Sequence, residues 1–188
     1  MIVRDEMQLI RCTAKLRKEM GLAQAELSES DPDASLLDQW HSNLVHINRR
    51  KCVLFVNDKT LFNFIVPNVS RARIRALDEM FRSHLGAALS AESFAEEFVE
   101  WILADYSEIS FGKSNDRSVL GSMNDLAFQY EIRLSGVSTV EHRPELTTLI
   151  QDLNRMPMKK GADYIFPAEE MRKLYQSAGW PGNPSQAA

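Results

Sequence analysis

Three apolar runs, His41 to Ile47, Lys51 to Val56 and Leu61 to Val66, follow one another with only Asn48-Arg49-Arg50 and Asn57-Asp58-Lys59-Thr60 between them. Connections this short cannot hold a crossover, so the runs are predicted to pair as antiparallel hairpins in a three-strand meander. Cys52-Val53-Leu54-Phe55-Val56 lacks polar alternation, which predicts a central strand covered on both faces. Pro67 ends the third run.

The remaining elements are arranged around this block. Gln8 to Thr13 has strand character, with Thr13 placed to cap a helix from Ala14 to Met20 that Gly21 stops. Ala25 to Asp38 is acidic and polar and reads as a solvated connection, the most mobile internal loop. From Ser70, Ile74, Leu77, Met80, Phe81, Leu85 and Leu89 recur at helical spacing, and Ser90-Ala91-Glu92-Ser93 resembles a capping box for a helix bearing Phe94, Phe98, Trp101 and Ile102. Ile109 and Phe111 suggest a short strand. Helices are expected from Pro144 to Asn154 and from Pro167 to Ser177.

The expectation is α+β: one domain over residues 1–178, a mostly antiparallel sheet around the meander, helices packed chiefly on one face, and a frayed tail at 179–188. With 188 residues, 44% of them hydrophobic, the chain can bury a core without disulfide or metal staples. Cys12 and Cys52 lie in apolar runs with no CxxC pairing and read as reduced core thiols. There is no apolar stretch of membrane length and no signal-peptide core at the N-terminus, so a cytoplasmic location is expected and no membrane partner. A net charge of −4 argues against extensive nucleic-acid binding.

The segment from Asp116 to Leu134 reads as a helix unusually rich in uncharged polar groups. Val119, Met123, Leu126 and Tyr130 form one stripe facing the core, and Phe128 and Ile132 lie opposite it, which predicts a helix buried on two sides. Ser118, Ser122, Asp125 and Gln129 then form one polar stripe, with Asn124 and Glu131 on the other flank. Either these groups recognise a ligand or partner, or they satisfy neighbouring strands and loops. Gly121 is read as permitting a close helix contact.

Arg49, Arg50 and Lys51 concentrate positive charge at a hairpin turn that could grip phosphate or an acidic partner, or simply be solvated. His41 and His46 point to opposite strand faces, so they cannot share a metal, and nothing in the sequence calls for a metal or cofactor. Ser122 sits in Leu120-Gly121-Ser122-Met123-Asn124, which lacks the second glycine of a nucleophile elbow. GxGxxG and GxxxxGK[ST] are both absent.

Two long runs carry a resemblance: Trp40-His41-Ser42-Asn43-Leu44 through Asn48-Arg49-Arg50-Lys51-Cys52-Val53-Leu54-Phe55, and Asn115 with Arg117 to Glu131. Gln8 to Lys15 and Leu153 to Met158 belong to the same similarity, which spans most of residues 7 to 175. The chain resembles a family of bacterial cytoplasmic domains of unknown function. That resemblance implies no established activity and transfers no catalytic residue.

The function expected from the residues is a non-enzymatic binding or regulatory module. Its recognition surface would combine Arg49, Arg50 and Lys51 with Ser118, Ser122, Asn124, Asp125, Gln129 and Glu131, and its partner would be another protein or a phosphate-bearing ligand held at the tip. The alternative is a small enzyme acting on a phosphorylated or nucleic-acid substrate. It would use Arg49 and Arg50 to clamp phosphate, His41 as general acid or base, and Asn124 or Asp125 to orient it. That alternative requires these groups to converge.

Overall fold

The computed structural model describes residues 8–28, 37, 39–114, 116–135, 143–180 and 182. The strands β1 (Gln8–Cys12), β2 (Trp40–Ile47), β3 (Arg50–Asn57), β4 (Asn63–Val66) and β5 (Ile109–Lys113) form one sheet in the order β4-β3-β2-β1-β5. β2 pairs antiparallel with β3, and β3 with β4. At the first of these turns Asn48 and Arg49 both take positive φ, 50° and 63°, while Ile47 pairs with Arg50. This is a two-residue hairpin whose twist matches that of its strands.

β1 runs parallel to both of its neighbours, β2 and β5, so the sheet is mixed rather than mostly antiparallel. The crossover from β1 through α1 (Ala14–Met20) is long enough to permit a parallel return, and apolar pattern alone does not distinguish the two directions. Gly21 closes α1 at φ 78°, its N–H bonded to Arg17 O. Thr13 makes no side-chain cap; its hydroxyl turns instead to Asn43 Oδ1 at 2.8 Å.

Helices cover both faces, which corrects the expectation of one. Alternation along β3 sends Val53 and Phe55 to one side and Leu54 and Val56 to the other, and each set is buried in its own cluster. The first side is covered by α1, α2 (Arg71–Arg75), α3 (Leu77–Ala91), α4 (Glu96–Asp105) and α7 (Pro167–Ser177). The second is covered by α5 (Arg117–Leu134) and α6 (Arg143–Asn154). A small hairpin of β6 (Met158–Lys160) and β7 (Asp163–Ile165) packs beside α5, with Met158 and Ile165 turned into the second cluster.

Three local readings change. The helix begun at Ser70, whose hydroxyl accepts from Arg73 N–H, breaks at Ala76 before α3 resumes. The expected capping box does not form: α3 runs through Ala91, and Glu92 is buried against Arg155 and Arg172 at 3.2 and 3.1 Å. Trp180, assigned to the tail, is buried with its ring against Phe98 and Tyr175, because the first core cluster has room for another aromatic side chain. Most of the predicted mobile loop and of the tail lies outside the described residues.

Cys12 and Cys52 are buried and free, on opposite faces of the sheet. Burial pushes the Cys12 thiol up to about 12, which makes it a packing group rather than a nucleophile.

Candidate functional site

α5 begins at Asp116, whose carboxylate accepts from Ser118 N–H at 2.7 Å and Val119 N–H at 3.1 Å. Val119, Met123, Leu126, Tyr130 and Leu134 press onto the sheet through Leu54, Val56 and Ile65. Tyr130 is fully buried and donates its hydroxyl to Asn63 Oδ1 at 2.8 Å; burial raises its phenol far above the ordinary tyrosine range.

The opposite side of α5 is open. Phe128 is 59% and Ile132 53% exposed, so the helix is buried on one side, not two. An apolar residue opposite a core stripe gives the same pattern whether or not a second layer covers it. Asn124, Asp125 and Glu131 are exposed, Ser118 is exposed, and Gln129 is half-buried. Only Ser122 is buried, and it is satisfied within the helix by bonding Ser118 O at 3.3 Å.

Gly121, Asp125, Phe128 and Ile132 recur at i, i+4, i+7 and i+11 and therefore line up along this outer face. A methyl group built at Gly121 would meet nothing within 4 Å. The close contact expected of this glycine is therefore not made among the described residues.

The hairpin tip lies at the C-terminal end of α5, where Asn48 Nδ2 donates to Leu134 O at 2.9 Å. Arg49 is exposed. Arg50 reaches Asn68 Oδ1 at 3.2 Å, and Lys51 pairs with Glu19 at 2.8 Å. The structure thus joins the tip to the end of α5, with Arg49 exposed there and Arg50 and Lys51 engaged by neighbours.

His41 is at the other end of β2. Eight residues of extended chain span about 26 Å, so His41 and Arg49 cannot meet in one pocket. Asp125 points away from the sheet in which His41 is buried. The catalytic grouping of His41, Arg49, Arg50 and Asp125 is not assembled.

His41 instead meets two residues that sequence spacing does not connect with it. Its Nδ1 lies 2.8 Å from Ser114 Oγ, and its Nε2 faces Asp58 Oδ2 at 3.8 Å and has no hydrogen-bond partner among the described residues. Arg11 is beside His41 in the β1–β2 register, bonded to Gln39 and to Lys113 O at 3.1 Å. Lys160 holds the turn at Asp58 O, 2.7 Å, and at Lys59 O.

The facing imidazole holds the Asp58 carboxyl below the ordinary aspartate range, and Lys160 and Arg11 act in the same direction. A depressed folded-state pKa contributes stability that is present above the unfolded value, about 3.9, and is lost as pH falls through the folded one. Melting Asp58→Asn and wild type between pH 3 and 7 should therefore show wild type the more stable near neutrality and the gap closing toward pH 3. A gap that is constant across this range would show that the carboxylate gains nothing from His41.

A cleft of about 680 Å³ opens between α3 and α6 beside β4, lined in part by Asn68, Ser83, His84, Ala87 and Thr147. Its volume suits a small ligand. Its floor is closed, however, since Phe64, Ile65 and Val66 are each 1% exposed. Among the described residues no cluster of His, Cys, Asp and Glu could hold a metal ion, and no helix is long and apolar enough to cross a membrane.

Residues 9–170 match the family described as Domain of unknown function (DUF6933). No curated protein and no solved structure matches the chain. The chain belongs to that family.

Proposed function

We propose that this family member is a protein-binding module that takes a helix of its partner along the outer face of α5. The observation that carries the reading is the line Gly121, Asp125, Phe128, Ile132. Two large apolar side chains stand more than half exposed on one line with a glycine that no described residue approaches. Glycine inside a helix costs about 1 kcal/mol relative to alanine. A gap beside an aromatic and an aliphatic residue is what a second helix needs in order to approach closely.

From Gly121 to Ile132 the line is about 16 Å long, three turns of a docked helix. Asp125 on the line and Glu131 on its flank call for a basic residue beside the partner's apolar stripe. Arg49, at the end of α5 where Asn48 is bonded, would meet an acidic or phosphate-bearing group there. Function then follows from architecture: the core stripe fixes α5 on the sheet and leaves its other face free to bind.

The test is affinity capture from the native host with wild type, Phe128→Asp/Ile132→Asp and Gly121→Leu, with a photo-reactive group at Phe128 to locate the contact. Gly121→Leu adds bulk only where the chain itself has space. Both variants should melt like wild type and lose a partner by at least about tenfold, and the cross-link should fall on a helix of that partner. Equal recovery of every protein by all three baits would remove the proposal.

A further inference from the structure

The residues around His41 form an ordered chain of groups that packing does not require. β1 and β5 are adjacent and parallel, and the chain leaves their carboxyl ends in opposite directions, through α1 to one face and through the segment leading into α5 to the other. This divergence is the arrangement that opens a crevice for a ligand at the ends of parallel strands. Ser114 follows β5 at that point, its N–H bonded to Cys12 O at the end of β1.

We propose that Ser114 is a nucleophile for acyl transfer, with His41 as its general base and Asp58 as the group that positions His41. The imidazole is wholly buried, its Nδ1 2.8 Å from Ser114 Oγ, and its Nε2 is buried, faces Asp58 Oδ2 and has no hydrogen-bond partner among the described residues. A buried imidazole nitrogen with no bond is costly, and a catalytic role is one reason for a fold to keep it. With the Nε2 proton toward Asp58, Nδ1 is free to accept the Ser114 proton. Ser114 is half-buried, and about a third of the Asp58 side chain is exposed, so the group borders solvent while the imidazole between them stays dry.

On a carboxylic ester, Ser114 Oγ forms the bond to the carbonyl carbon and its proton passes to His41 Nδ1. The ester C–O bond breaks, and the departing alkoxide takes that proton and leaves as the alcohol. A water then attacks the acyl-serine and gives one proton to His41. The acyl–Oγ bond breaks, the acid is released, and Oγ recovers the proton. One water is consumed and nothing is oxidised or reduced. Asp58 stabilises the imidazolium in both halves, the 3.8 Å separation being close enough to tighten when the ring is charged.

This centre is independent of the α5 docking line and can fail or stand without it. The probe is an alkyl fluorophosphonate, from which Ser114 Oγ would displace fluoride while its proton goes to His41. Intact-mass and peptide analysis should find one adduct on wild type, at Ser114, and none on Ser114→Ala. His41→Gln, which keeps the hydroxyl, should react about 100-fold more slowly. Asp58→Asn, on an accessible turn, should also react more slowly and serves as the second variant if His41→Gln does not fold. An unmodified wild type, an adduct on another residue, or wild-type rates in either folded variant would overturn the proposal.

Discussion

Replacing Phe81 with alanine is expected to lower the unfolding free energy by about 4 kcal/mol, within the range typical of a buried aromatic truncation. Phe81 is 0% exposed and touches four other rings, with centroids 5.2 Å away at Trp40, 5.4 Å at Phe55, 5.9 Å at Phe64 and 5.1 Å at Tyr106. These rings come from three adjacent strands and from the end of α4, so Phe81 is where α3 engages the sheet. Trp40 Nε1 donates to the Tyr106 hydroxyl at 2.9 Å, which fixes two walls of the site and limits how far they can collapse into the space left. Urea unfolding should show a lower midpoint with an unchanged slope. A loss below about 1 kcal/mol would mean that the rings close over the cavity and that the cluster is not rigid.

What the sequence discloses about this chain depends on range. The antiparallel pairings of β2, β3 and β4 follow from connectors too short for a crossover, and the burial of β3 on both faces follows from its unbroken apolar run. The direction of β1 is not legible, because the strand that follows it, β2, is reached through a helix and a long loop and can be placed either way beside it. β6 and β7, three residues each, are shorter than any pattern can mark. The length of α5 and its inner stripe were legible. Its outer side was not, since Phe128 and Ile132 satisfy helical periodicity equally well against a second layer or against water.

The same limit governs the sites. His41 stands out as a histidine on a strand, but its neighbours come from 17 residues ahead, at Asp58, and from the β5–α5 connection, 73 residues ahead, at Ser114. Only the register of β2 between β1 and β3 brings them together. Gly121 reads in the sequence as permitting a close helix contact, but no described residue lies within 4 Å of a methyl group built there.

Asn154→Leu is expected to cost about 3 kcal/mol, although it removes no charge and keeps the number and branching of the side-chain heavy atoms. β4 is an edge strand, and its outward-facing backbone groups at Asn63 would otherwise be buried without partners. Asn154, 0% exposed at the end of α6, accepts from Asn63 N–H at 2.8 Å and donates to Asn63 O at 2.7 Å, taking the place of a neighbouring strand. It also donates to Ile150 O at 2.9 Å, which ties the amide to its own helix. Tyr130 reaches the same asparagine from α5 at 2.8 Å, so Asn63 is where both helices of the second face engage the sheet edge. Leucine would leave a buried donor and a buried acceptor unpaired, each worth about 1 to 3 kcal/mol. Two measurements should move together: a lower urea midpoint and faster hydrogen exchange at the Asn63 amide. If the variant unfolds at the wild-type midpoint with Asn63 still protected, water has replaced the side chain, and α6 is held to the sheet by its apolar face through Leu149 and Leu153 alone.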